Sequence, residues 1–137
     1  MNLLRGRILE IQSDGHISLV DVGIAGDTFT AILLESPQSA PYLAIGREVK
    51  VLFKETEVSL AKELSGRISL RNCVRARVMQ IRHGVILSEV VLDYGGAMLS
   101  SIITSRAVKR LDLAEGDKVS ALIKANEVSL MEAGNDL

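Results

Sequence analysis

Val49, Val51 and Phe53 alternate with Lys50, Leu52 and Lys54, and Val119, Ala121 and Ile123 alternate with Ser120, Leu122 and Lys124. A period of two places successive side chains on opposite faces of an extended chain, so both segments read as strands with one face turned to a core. The runs 17–24 and 28–34 are split by "AGD", and the runs 85–94 and 97–104 by "YGG". Each pair is expected to form a hairpin, because these residues adopt the backbone angles of a tight turn at low cost. One segment breaks the alternation. "TSRAVKRLDLAEGDKV" opens with hydroxyl residues suited to an N-cap, spaces Ala107, Val108 and Leu111 helically, and meets Gly116 as a stop signal. It predicts one short helix.

The two halves of the chain are copies. Shifting the sequence by 70 positions aligns residues 2–60 with 72–130 without a gap: "FKETEVSL" lies over "IKANEVSL", "LAIGREV" over "LAEGDKV", and "NLLRGRILEI" over "NCVRARVMQI". A shared structural period does not produce gapless identity, so the chain is read as two tandem units, 1–62 and 63–137, with 61–71 as their junction. In the first copy the helix segment reads "ESPQSAPYLAIGREV", where Pro37 and Pro41 predict a helix that is shortened, distorted or lost. The expected fold class is all-β: two tandem five-stranded Greek-key barrels of the oligonucleotide/oligosaccharide-binding (OB) type, each with one short helix.

Composition narrows the function. Sixteen basic and seventeen acidic residues among 137 leave a net charge of −1, so no global field draws in a nucleic-acid backbone or an anionic membrane. Any anion site must be local. The chain has no tryptophan, and its aromatic residues are Phe29, Tyr42, Phe53 and Tyr94; a core built from small aliphatics in so short a unit calls for burial against a second unit or subunit. Cys73 has no partner for a disulfide and reads as a packed apolar residue. No apolar run approaches the roughly 18 to 20 residues of a membrane span, and residues 2–11 already carry Arg5, Arg7 and Glu10, which is unlike the uninterrupted apolar stretch of a signal peptide. A cytoplasmic protein without membrane insertion is the expectation. His16 and His83 have no companions at metal-ligand spacing, and the glycines sit in hairpin positions without opening a phosphate loop, so neither a metal centre nor catalysis is indicated.

Local chemistry concentrates in "SLRNCVRARV", residues 69–78. "SLRN" at 69–72 and the later "ITSRAVKRLDLAEGDKVSALIKANEVSL" together resemble the molybdenum-pterin-binding family, the Mop or TOBE domain, which occurs in tandem in molbindins, molybdate-dependent regulators and molybdate-transporter ATPases. S-x-R-N opening a strand is that family's signature. The resemblance covers both copies, but only the second carries the full motif set. It implies an oxyanion pocket for molybdate or tungstate that uses Ser69, the backbone at Leu70, Arg71 and Asn72 from one subunit, with Thr104, Lys124 and the backbone at Ala125 from a neighbouring subunit. It therefore implies a homo-oligomer, a dimer or trimer of tandem domains, and a role in storage, homeostasis or sensing. The donor set makes sense chemically. A fully deprotonated tetrahedral dianion needs hydroxyl, amide and cationic donors and no carboxylate, whereas phosphate carries a proton at neutral pH that would find no acceptor.

The first copy departs from the signature. Only Met1 precedes Asn2, Leu34 stands where the second copy has Thr104, and Glu55 stands where it has Ala125, beside Lys54. A carboxylate there repels a dianion and can neutralise the lysine, so the first copy is expected to be a structural partner. Arg75 and Arg77 are matched by Arg5 and Arg7 and read as shared surface, outside the pocket. The alternative functions are an OB-like nucleic-acid-binding module, disfavoured by the scattered aromatics and lack of basic charge, and a ligand-free interaction module.

Overall fold

A computed structural model describes residues 1–134. The strands are β1 (Asn2–Asp14), β2 (Ile17–Ile24), β3 (Asp27–Leu33), β4 (Glu48–Phe53) and β5 (Ser59–Ala61), then β6 (Asn72–Arg82), β7 (Leu87–Tyr94), β8 (Ala97–Thr104), β9 (Lys118–Ile123) and β10 (Ser129–Glu132). Each strand of the second set begins 70 positions after its counterpart, so the repeat in the sequence is a repeat in structure. The single α-helix among the described residues, α1 (Ser105–Arg110), belongs to the second repeat. Thr104 caps it: the Oγ1 atom accepts from the Ala107 N–H at 3.1 Å. In the first repeat, where the fold class allowed one short helix and Pro37 and Pro41 predicted a shortened, distorted or lost one, the corresponding residues form turns. Leu34 cannot cap, and Pro37 and Pro41 have no N–H to donate.

The sheets run β10-β4-β1-β2-β3 and β5-β9-β6-β7-β8. All pairings are antiparallel, and in each sheet the edge strands approach one another, β3 against β10 and β8 against β5, which curls the sheet into a barrel. The last strand of each barrel comes from the other repeat. Ser59–Ala61 pairs with Leu122, Ala121 and Ser120, while Ser129–Glu132 pairs with Leu52, Val51, Lys50 and Val49. The two repeats are thereby interlocked through backbone hydrogen bonds.

Alternation puts Val49, Val51 and Phe53 of β4, and Val119, Ala121 and Ile123 of β9, inside their barrels, all nearly or fully buried. One apolar cluster runs through both repeats, in keeping with the need for shared burial. At the junction Phe29 stacks on Phe53 at 6.2 Å and receives the Tyr94 ring edge-on at 6.1 Å. The Tyr94 hydroxyl reaches back to the first repeat, 2.7 Å from Asp27 Oδ2 and 3.1 Å from the Ile24 carbonyl. Burial, helped by Asp27, pushes the phenol well above its ordinary range, so it stays a donor. Cys73, expected to be packed, is exposed on β6, because its strand position faces outward between buried Asn72 and Val74.

A second pair of cross-repeat links uses asparagine. The Asn72 side chain accepts from the Thr30 N–H at 2.6 Å and donates to the Thr30 carbonyl at 2.9 Å. Asn2 does the same to Ser100, accepting from its N–H at 2.8 Å and donating to its carbonyl at 2.9 Å. Strands β3 and β8 are sheet edges whose outward backbone groups need partners. A carboxamide has the donor–acceptor pair of a peptide and meets that need without another strand.

Candidate functional site

Strand register brings the site residues together. Asn72 at the start of β6 pairs with Ile123 at the end of β9, so the residues just before β6 and just after β9 lie at one end of the barrel. There Ser69, Leu70, Arg71, Lys124, Ala125 and Asn126 line a hollow of about 310 Å³, closed on one side by Ile32 of β3. No carboxylate lines it. Lys124 is extended and precedes a 3₁₀ turn (Ala125–Glu127), in which the Glu127 N–H bonds the Lys124 carbonyl at 2.9 Å. The first N–H groups of such a turn have no acceptor within it, so those of Ala125 and Asn126 are available to a ligand. Arg71 and Lys124 are both exposed, and neither forms an ion pair among the described residues. The hollow therefore offers two cations, the Ser69 hydroxyl and backbone donors to a small anion.

Of the seven residues expected at the site, five share this hollow. Asn72 does not: it is fully buried, and its side chain is committed to Thr30. Its side chain ties the start of β6, directly after Arg71, to β3. Thr104 lies elsewhere in the chain, in a separate hollow of about 400 Å³ with Val85, Ile86 and Arg106. The resemblance grouped Lys124 and Ala125 with Thr104 on a neighbouring subunit; within one chain they stand with Ser69, Leu70 and Arg71 instead. Ile32 and Asn126 went unrecognised. Asn126 follows directly on the lysine motif and could have been included, whereas Ile32 arrives from the other repeat and has no local signal.

The first repeat places different chemistry at the equivalent end. Glu55, in Ala125's position, pairs with the Met1 amine in Arg71's position. The hydrogen bond from that amine holds the Glu55 carboxyl below its ordinary range. A built-in carboxylate thus meets the cation there. Arg75 and Arg77 line a third hollow with Asp93 and Lys118 on the outer face of the second barrel, away from Ser69 and Lys124. No group of three His, Cys, Asp or Glu side chains that could hold a metal ion occurs among the described residues, and no helix there is long and apolar enough to cross a membrane.

Comparison with known proteins agrees with this architecture. The TOBE domain model matches residues 68–130. Molybdenum-pterin-binding protein MopB of Rhodobacter capsulatus is 37% identical over 107 residues, which cover 77% of this chain and 40% of MopB. ModE, a molybdenum transport protein of Azotobacter vinelandii, is 31% identical over 80% of this chain and 41% of its own length. This chain thus spans about two fifths of the length of those two relatives. Molybdenum-pterin-binding protein 1 of Clostridium pasteurianum is 38% identical over 65 residues, 96% of its length and 47% of this chain. Among solved structures, the cytoplasmic molybdate-binding protein ModG with molybdate bound superposes with a TM-score of 0.89 at 35% identity, over 96% of this chain and 95% of that one. These relatives are named as binding and transport proteins. Two β-barrels related by a 70-residue repeat, with the S-x-R-N strand start and the lysine turn at one barrel end, place this chain in the Mop/TOBE domain family.

Proposed function

We propose that this chain binds molybdate or tungstate as an intact tetrahedral dianion in the hollow of Ser69, Leu70, Arg71, Lys124 and Ala125. The supporting observation is the convergence of two cations, a hydroxyl and free backbone N–H groups on one small space without a carboxylate. Arg71 and Lys124 balance the two negative charges, while Ser69 and the amides at Leu70 and Ala125 direct hydrogen bonds to separate oxygens. No carboxylate lines the hollow to take the proton that phosphate carries at neutral pH, and sulfate is discriminated by its smaller size. Asn72 serves by fixing the strand start.

Thr104 completes the site from a neighbouring copy in a homo-oligomer, a dimer or trimer of the tandem units 1–62 and 63–137. Exposed aliphatic residues favour such assembly: Ile17 and Leu19 of β2, Ile32 of β3 and Leu34 just beyond it form an outward face that runs into the hollow through Ile32, and Val85, Ile86 and Leu87 flank Thr104. Such a site would serve storage, buffering or sensing of the oxyanion in the cytoplasm, a reading supported by the similarity to cytoplasmic ModG. The nucleic-acid alternative loses further ground, because Phe29, Phe53 and Tyr94 are buried in the core and offer no stacking surface.

A thermal melt with each oxyanion tests the proposal. A ligand that binds only the folded state at about a hundred times its Kd adds roughly 2.7 kcal/mol of stability, a rise of about 5–10 °C in Tm for a chain of this size. Molybdate and tungstate are expected to produce it; equal shifts with sulfate and phosphate, or none with any ion, would remove the proposal.

A further inference from the structure

Arg71 lines two hollows. One is the oxyanion hollow, shared with Ser69 and Lys124; the other, of about 360 Å³, is shared with Leu19, Asp21, Thr28 and Thr30 on the outer edge of the first barrel. The second hollow contains a carboxylate whose position is fixed by a chain of hydrogen bonds that starts next to Arg71. Asn72, the following residue, clamps the backbone of Thr30 at 2.6 and 2.9 Å, and the Thr30 hydroxyl donates to Asp21 Oδ1 at 2.8 Å. Asp21 and Thr30 are also direct cross-strand partners in β2 and β3. Asp21 is thus held by the same asparagine that anchors the start of β6.

We infer that Asp21 tunes the oxyanion site by competing with the ligand for Arg71. The inference rests on the proposed oxyanion site and adds a residue outside it. Arginine carries a planar fork of donors on a long, flexible stem, and it forms its best pairs with carboxylates and oxyanions alike. With no ion pair of its own among the described residues, Arg71 has an anion of the protein on one side and the ligand hollow on the other. Asp21 attracts it away from the empty hollow, and an arriving oxyanion must draw it back. Every anion meets this cost, so one that also satisfies Ser69, Lys124 and the backbone donors is held, while a poorly fitting one is not. The second repeat has Val91 at the position equivalent to Asp21, so the carboxylate is placed only beside the functional hollow.

Titration calorimetry of the full chain with molybdate provides the test, on the wild type and on Asp21→Asn, Asp21→Ala, Asp21→Glu and Lys124→Ala. Asn keeps the acceptor for Thr30 and removes the charge. Asp21→Asn and Asp21→Ala are expected to tighten molybdate binding about three- to tenfold, the factor expected for removing one nearby charge in a solvated site, and Asp21→Glu to stay near wild type. Structural damage does not tighten binding, so the gain separates competition from misfolding. Unchanged or weaker binding in both neutral variants overturns the role of Asp21 while leaving the site itself in place. Absence of molybdate binding in the wild type, or full affinity in Lys124→Ala, instead removes the site assignment and the inference with it.

Discussion

Replacing Lys124 by methionine should weaken molybdate binding roughly 100-fold or more, since a charge-assisted contact to a dianion is worth several kcal/mol and each 1.4 kcal/mol is a factor of ten. Methionine retains an unbranched apolar stem, so any packing contribution of the lysine methylenes persists while the ammonium is lost. That control matters because Lys54 occupies the equivalent position in the first repeat, where Glu55 takes the place of Ala125. A lysine kept in both repeats could be serving the strand end alone. The exposed ammonium forms no ion pair among the described residues, so ligand-free stability should stay within about 0.5 kcal/mol of wild type, as for other surface changes. Calorimetric titration beside a melt of the ligand-free protein checks both halves; a large loss of stability with unaltered affinity would make Lys124 structural.

Asn72→Ala should have the opposite profile, a large loss of stability. Two hydrogen bonds disappear, and the Thr30 N–H and carbonyl are left without them at a buried seam between repeats. An unsatisfied buried group costs about 1–3 kcal/mol, so the total is about 2–4 kcal/mol, or roughly 6–15 °C in Tm. Thermal or urea unfolding measures it. Ser69→Ala is the useful contrast: Ser69 is exposed beside the hollow, so its loss should lower affinity and leave stability unchanged. If Asn72→Ala melted like wild type, the carboxamide clamp would have no energetic role.

Much of this fold was legible along the chain. The 70-residue offset located both copies, and the alternation of Val49, Val51 and Phe53 gave the buried face of β4 correctly. Thr104 followed by a helical spacing gave α1, and the prolines explained why its counterpart is missing. The exchange of the last strands was not legible. "EVSL" occurs at both 57–60 and 127–130, and β4 and β9 present the same alternation, so local sequence cannot say which copy pairs with which. The division of the S-x-R-N motif was equally hidden. Serine and arginine face the hollow, but the asparagine turns inward because the edge of β3, contributed by the other repeat, needs a partner there. Asp21 and Ile32 reach Arg71 and Lys124 through that same seam, and no spacing within one repeat would reveal them.

The most direct test of the central claim is a crystal structure of the chain grown with tungstate, with anomalous data collected at a tungsten absorption edge. A strong anomalous peak is predicted in the hollow, within hydrogen-bond reach of Ser69 Oγ, the Arg71 guanidinium and Lys124 Nζ, with Thr104 of a neighbouring copy facing it. A peak confined to other surfaces, or none at a tungstate concentration that stabilises the protein in solution, would contradict the assignment.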